Sequence, residues 1–390
     1  MFNVLIFSGY IVMLVVIGVI TYMKTKSHED YSLAGRSNNM WVTAISACSS
    51  DMSGWLLLGL PGLAFVTGFG AIWTLIGILI GNLFNWTIVA NRLRTITAHY
   101  KAVTITEYLD KRLNDTKGTL SLIAAIIIVL FMIINSSAEI IGSGKLLNEA
   151  FGLTYNLGII ISLLIVLAYT FLGGYLAVSW SNLVQGSIML IALLIVPIVG
   201  IINVGGVNAL FTNLMNQDTS LFLFLGVEHT ALAILGIIMG GLGIGIGYPG
   251  QPHILTSFMS IRDPDEIRHS TVIAMLWVGI TTYGAVMSGM IGRAISPGIE
   301  DPETIFLVLT KVLFSNNTIG LFAAAVMAAI LSSVSAYLLV AAASLSSNIY
   351  KKYKVSSDKN TLMVERLSVV VIALLAFIMS LSGGLVFEVA

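Results

Sequence analysis

The sequence predicts an all-α polytopic membrane protein, and three observations carry that expectation. The 390 residues are 57% hydrophobic and only 10% charged, where a soluble chain carries about 25% charged residues. The apolar residues fall in continuous runs of about 20 or more, the length that crosses a bilayer as helix. A transmembrane barrel would instead alternate apolar and polar residues over strands of about ten.

About ten spans follow from these runs, near 4–23, 42–68, 71–91, 119–148, 155–173, 178–204, 229–258, 270–295, 304–348 and 363–382. Span 1 has no basic residue before it and no small-residue cleavage pattern after it, so it reads as a retained helix and not a signal peptide. Between spans 3 and 4 the stretch 103–113 is amphipathic and suits an interfacial helix. The longer spans suit tilt, breaks or helix continuing into water. A further span after residue 382 is expected, because the chain stops at Phe387-Glu388-Val389-Ala390 with no polar tail. On this reading the chain is truncated before an eleventh helix.

Charge sets the orientation. With the N-terminus outside, only Lys145, Arg293 and Lys311 of the 19 basic residues fall on the outer side, which satisfies the positive-inside rule. The basic stretch from Lys351 to Lys359 would then face anionic lipid of the inner leaflet. Zero net charge implies no nucleic-acid partner, and the single Cys48 excludes an intrachain disulfide or a multi-cysteine metal site. No nucleophile–base pair or cofactor motif indicates an enzyme.

Four spans carry polar chemistry. Span 2 holds Ser46, Ser49, Ser50, Asp51 and Ser53, followed by Gly54 and then Pro61-Gly62. A carboxylate at mid-membrane costs about 2.5–3.5 kcal/mol on insertion scales and points to function. The mixture is a poor helix interior but a good broken helix, whose freed carbonyls can coordinate a cation. Span 7 holds Gly240, Gly241, Gly243, Gly245, Gly247 and Gly250 with Pro249 and Pro252. Such a stretch marks either an unwound segment or very close helix packing. An unwound binding segment is expected, because Tyr248, Gln251 and His253 follow at once; His253 itself reads as structural. The G-x-G-x-x-G spacing at Gly245–Gly250 is not a dinucleotide site, since no βαβ unit surrounds it. Span 9 places Ser332, Ser333 and Ser335 after Ala328-Ala329. These hydroxyls either bond the preceding turn or serve a hard cation. Span 4 aligns Asn135, Glu139 and Gly142 on one face, so Glu139 lies either in a wet cavity or at the solvated outer interface.

Breaks in spans 2 and 7, five spans apart, point to an inverted-repeat transporter with its site at the repeat interface. The whole chain, 1–390, is then one transporter domain. Residues 42–204 form the first repeat, 229–390 an incomplete second repeat, and 4–23 an extra N-terminal helix.

The chain resembles the sodium:solute symporter family, and within it the bacterial sodium/proline symporters. The likeness runs nearly end to end. It rests on Leu33-Ala34-Gly35-Arg36-Ser37, on Ser50-Asp51-Met52-Ser53-Gly54-Trp55 with Gly59-Leu60-Pro61-Gly62, and on Gly173-Gly174-Tyr175-Leu176-Ala177-Val178-Ser179-Trp180. It rests also on Gly247-Tyr248-Pro249-Gly250-Gln251-Pro252-His253 and on Ala328-Ala329-Ile330-Leu331-Ser332-Ser333.

The resemblance implies a leucine-transporter-like fold in the cell membrane and a Na⁺-coupled import of a small organic solute by alternating access. It implies that Na⁺ is held between spans 2 and 9 by carbonyls of Ser49, Met52 and Ala329 and hydroxyls of Ser332 and Ser333, with Asp51 nearby. Ser53, Gly54 and Tyr248 would face substrate, Arg36 would serve coupling and gating, and Glu303 matches a family acid of no assigned role.

The positions of Asn135 and Ile244 hold a pocket aromatic and a tryptophan in proline carriers. Glu139 replaces a small residue and Asn182 an acid. Asn135, Glu139 and Ile244 are therefore substrate-site candidates, and the substrate is proline, another amino acid or an amine-bearing solute. The rival readings are a sensor module built on the same bundle and an inactive truncated carrier.

Overall fold

The computed structural model describes residues 2–225, 230–351 and 357–381. The first residue assigned to span 7, the last assigned to span 10, residues 352–356 of the basic stretch and the terminal Phe387-Glu388-Val389-Ala390 lie outside the described residues. The described residues are helical throughout and contain no strand. Among the described residues, eight helices are long and apolar enough to cross a membrane by length and composition.

Span 1 is the helix Phe2–Lys24. Span 2 is two half-helices, Met40–Met52 and Gly59–Thr67. Asn39 starts the first half by accepting the Trp41 and Val42 N–H groups, as an N-cap residue does. The halves part at Ser53, whose φ of 52° and ψ of −173° lie in a region essentially reserved for glycine. Its hydroxyl accepts the Trp55 N–H at 3.1 Å, which starts the next helical turn, Gly54–Leu56. Span 3 begins as Ile72–Phe84 and runs through a π-helical turn into Ala90–His99. The amphipathic stretch is the helix Ile105–Leu113, capped by Thr104. Span 4 is Thr119–Phe151.

Spans 5 and 6 share one helical run, Tyr155–Val204, interrupted at Gly174 (φ 59°, ψ −146°). Tyr169 and Gln185, sixteen positions apart, both reach Tyr10. Along a straight helix they would be separated by about 24 Å, so the chain doubles back around Gly174. A side chain there would meet Tyr31, which is why this turn needs glycine both for its φ and for the close approach.

Span 7 departs from expectation. Its glycine-rich part is a regular helix, Ala231–Gly247, and the interruption comes later, at Tyr248–Gly250 and Gln251, before Pro252–Ser260. Gly241 and Gly245 lie against the backbone of Trp73, Gly77 and Gly81 of span 3, so that a Cβ on any of these glycines would collide. Close packing against span 3 therefore accounts for this pair, and Pro249 and Pro252 account for the interruption.

Span 8 is Ile267–Ile295. The stretch drawn as span 9 from 304 is also two elements. A short helix, Ile305–Leu313, ends at Phe314 in extended backbone (φ −123°, ψ 163°), and a 3₁₀ turn, Asn316–Thr318, then leads into the next helix. Span 9 proper is Ile319–Ser344, continued by a π-helical turn to Tyr350. It is buried almost throughout, the position expected for a helix apolar all round. Its alanines and serines let span 4, span 5 and the first half of span 2 approach closely. Span 10 is Asp358–Ser380.

Candidate functional site

The first half of span 2 ends at Met52, so its last carbonyls, Ser49 to Met52, lie where a helix has no further N–H groups to offer. They form its partially negative end. Span 9 meets this end. The Ser332 hydroxyl donates to the Ser49 carbonyl at 2.9 Å and to the Ala329 carbonyl at 2.8 Å. The Ser333 hydroxyl donates to the Ser50 carbonyl at 2.8 Å and lies 3.4 Å from the Ala329 carbonyl. Ser49, Ala329, Ser332 and Ser333 have no exposed surface.

The structure thus brings together four of the five residues of the expected cation set. The fifth, Met52, is buried at the helix end beside them. It adds the Ser50 carbonyl, which the sequence reading did not include. Ser50 is the neighbour of Ser49 on a helix end, so only the facing register of span 9 selects it. Hydroxyl and carbonyl oxygens at the negative end of a half-helix suit a hard monovalent cation.

Asp51 turns the other way, into a cavity of about 290 Å³ whose walls come from spans 2, 3, 4, 7 and 9. The Tyr248 hydroxyl and the Asn82 amide face its carboxylate. Its Oδ2 is out of contact with solvent and has no hydrogen-bond partner among the described residues. Five expected substrate residues line this cavity: Ser53, Asn135, Glu139, Ile244 and Tyr248. The sixth, Gly54, is buried at the break, and its N–H donates to Glu139 Oε2 at 2.9 Å. Glu139 is 5% exposed, so of its two expected positions it takes the cavity and not the solvated interface.

Several lining residues escaped the sequence reading. Tyr337 is one; it lies four positions after Ser333, and that helical spacing was available as a signal. Trp55 and Gln251 were visible only as members of the interrupted stretches. Ile78, from span 3, had no local signal. His253, read as structural, is buried with its ring edge-on to Tyr337, 4.8 Å between centroids. Neither ring nitrogen has a hydrogen-bond partner among the described residues.

Asn182 packs against the same half-helix. Its backbone carbonyl accepts the Ser49 hydroxyl at 3.2 Å, and its side-chain amide donates to Ser46 Oγ at 3.3 Å. Asn182 is therefore a neutral brace of span 2.

Arg36 and Lys145 each anchor a polar cluster outside the cavity. At one end of the bundle, Arg36 follows two residues that share its positive φ, Ala34 and Gly35. Its guanidinium donates to the carbonyls of Met259 at 3.0 Å, Ala102 at 2.7 Å and Thr97 at 3.4 Å, and it pairs with Glu29 at 3.3 Å. Arg36 thereby ties the end of span 7 to the end of span 3. Burial pulls its guanidinium below the ordinary arginine value, and Glu29 opposes that shift. Near the other end of span 4, Lys145 pairs with Glu303 at 2.8 Å and with Asp301 at 3.6 Å, which gives Glu303 a place as an inter-helix tie.

Known proteins match this chain along most of its length. The model of the sodium:solute symporter family matches residues 31–384. The osmoregulated proline transporter OpuE of Bacillus subtilis is 39% identical over 96% of this chain and 76% of its own length. A sodium/proline symporter of Staphylococcus aureus is 40% identical over 94% of this chain and 73% of its own. A solved structure of a Na⁺-coupled sialic acid symporter, substrate-bound and outward-open, superposes with a TM-score of 0.85. It covers 98% of this chain and 82% of that one at 18% identity. That likeness bears out the leucine-transporter-like bundle expected from the sequence. The chain is a multi-pass membrane protein of a transporter type and not an enzyme, and it belongs to the sodium:solute symporter family.

Proposed function

We propose that this chain is a Na⁺-coupled symporter that imports proline by alternating access. The observation that carries the reading is the junction of spans 2 and 9. A broken helix presents its carbonyls to two serine hydroxyls on one side, and Asp51 and Ser53 at its break line a solute-sized cavity on the other. In this reading Na⁺ binds among the carbonyls of Ser49, Met52 and Ala329 and the hydroxyls of Ser332 and Ser333, with Asp51 close enough to contribute its charge. Substrate occupies the cavity between Ser53, Gly54, Asn135, Glu139, Ile244 and Tyr248.

Coupling follows from the shared element. A cation that draws span 9 onto the end of the first half-helix also fixes the Ser53–Gly54 break that faces substrate. Each site then pre-organises the other, and the coupling is reciprocal. Inward movement of one charge gains about 2.3 kcal/mol per 100 mV of membrane potential. Arg36 would hold the inner ends of spans 3 and 7 together until release.

The basic-residue distribution supports a cell-membrane orientation with the N-terminus outside. The breaks in spans 2 and 7 support division into repeats at 42–204 and 229–390, with 4–23 as an additional helix. The names of the relatives support proline, while Asn135, Ile244 and Glu139 favour testing other amino acids and amine-bearing solutes as well.

The test is uptake of labelled proline into proteoliposomes containing this chain, with and without an inward Na⁺ gradient. Uptake that requires the gradient is the expected result. Equal uptake with Na⁺ and with K⁺ would overturn Na⁺ coupling, and gradient-driven uptake of a different solute alone would overturn proline.

A further inference from the structure

The cavity has an unusual charge balance. Asp51 and Glu139 both line it, and no lysine, arginine or histidine does so among the described residues. A carboxyl held in a membrane interior either keeps its proton or, when ionised, is balanced by a cation. In the proposed function Na⁺ at the end of the same half-helix would offset one of the two, which leaves Glu139 without a cationic partner from the chain.

Glu139 has a second distinguishing feature. Gly54, whose N–H donates to Glu139 Oε2 at 2.9 Å, opens the helical turn after the break. The break leaves that N–H without a helical partner, and in broken transporter helices such groups are directed at anionic groups of the substrate. Here the chain's own carboxylate takes that seat. The approach is close: a Cβ on Gly54 would lie 2.8 Å from Glu139 Oε2. A carboxylate has about four lone-pair positions, so the Gly54 N–H and the neighbouring Ser53 hydroxyl leave acceptor capacity on the cavity side. The aromatic residues Trp55, Tyr248 and Tyr337 share that cavity, and their ring faces attract a cationic head.

We propose that Glu139 determines substrate specificity by occupying the anion seat at the break of span 2 and receiving the substrate's ammonium group. The ligand is then recognised by its cationic end, and a substrate carboxylate contributes less than the amine. This deepens the reading of the cavity as the substrate site and rests on it.

The experiment uses the whole reconstituted chain and two proline relatives as competitors of Na⁺-driven proline uptake. Prolinamide keeps the amine and lacks the carboxylate. Tetrahydrofuran-2-carboxylate keeps the carboxylate and has an ether oxygen in place of the amine. In the unaltered chain prolinamide is expected to compete at a concentration at least tenfold lower than tetrahydrofuran-2-carboxylate. Glu139→Gln keeps an acceptor oxygen for the Gly54 N–H and removes the charge. It is expected to raise the KM for proline and the inhibitory concentration of prolinamide about tenfold, with no loss of affinity for tetrahydrofuran-2-carboxylate. The reverse competitor order in the unaltered chain would overturn the proposal without any variant. So would wild-type KM and competitor order in Glu139→Gln.

Absence of Na⁺-driven proline uptake is a failure of the proposed function, not of this inference. Thermal stabilisation of the purified chain in Na⁺ by the same two compounds then decides the inference separately. Stabilisation by prolinamide alone supports it, and stabilisation by tetrahydrofuran-2-carboxylate alone or by neither overturns it.

Discussion

Replacing Ser332 by alanine tests the junction on which the proposed coupling rests. The variant removes one hydroxyl that bonds two carbonyls, those of Ser49 at 2.9 Å and Ala329 at 2.8 Å, where Ser49, Ala329 and Ser332 have no surface exposed. Removing one polar contact to a buried charged group costs about 1–3 kcal/mol. In the proposed site the same hydroxyl is also a cation ligand. At about 1.4 kcal/mol per tenfold, the Na⁺ concentration for half-maximal proline uptake should rise between roughly fivefold and a hundredfold, while maximal uptake at saturating Na⁺ falls less.

The control is Ser335→Ala. Ser335 is equally buried but donates to the Ser332 carbonyl of its own helix, at 3.1 Å, so its loss leaves the contacts with span 2 intact. Its Na⁺ dependence should stay within about twofold of wild type, less than 0.5 kcal/mol. The assay is initial uptake in proteoliposomes over a Na⁺ titration at fixed ionic strength. Wild-type Na⁺ dependence in Ser332→Ala, or an equal shift in Ser335→Ala, would refute the reasoning.

Gly54→Ala would place a methyl group 2.8 Å from both Glu139 Oε2 and Ile330 Cγ1. The KM for substrate should rise at least about tenfold, the order of a 1.4 kcal/mol penalty, with the folded chain still recoverable by size-exclusion chromatography. Ser53→Gly relieves backbone strain of about 1–3 kcal/mol and removes a hydroxyl from the cavity, so thermal stability should rise while substrate affinity falls in paired melting and uptake measurements. Arg36→Lys keeps the charge but loses the planar fork that reaches three carbonyls; maximal transport rate should drop with substrate KM little changed. For Lys145 and Glu303, partly exposed at 25% and 14%, a double-mutant cycle with Lys145→Met and Glu303→Gln should give a coupling energy of about 0.2–1 kcal/mol, which weakens as salt is raised.

Much of the architecture was legible because the bilayer imposes a simple requirement. Every backbone polar group inside it must be satisfied within the protein, so long apolar runs become helices, and residues that cannot sustain a helix in such runs mark breaks. Ser53-Gly54 announced the break of span 2 in this way. Span 7 shows where the inference runs out. Glycine leaves a helix when water or a ligand takes its backbone bonds, and it stays in one when another helix packs against it. Local sequence does not say which. Gly241 and Gly245 stayed helical because Gly77 and Gly81 of span 3 face them, and the break moved on to Tyr248–Gly250. Span 9 was overextended for a similar reason: 305–313 is apolar enough to continue a span, yet the backbone turns extended at Phe314.

By itself the sequence determined the membrane helices, the break beside Asp51 and the hydroxyl pair at Ser332-Ser333, because each depends on side-chain chemistry and spacing within one helix. Tertiary structure decided which carbonyls those hydroxyls meet, that Glu139 reaches the Gly54 N–H from another span, and that Tyr337 and Ile78 complete the cavity. Those choices depend on the axial register and rotation of packed helices. A shift of one residue moves a contact by about 1.5 Å and about 100° around the helix, and no pattern confined to a single span sets that register against its neighbours.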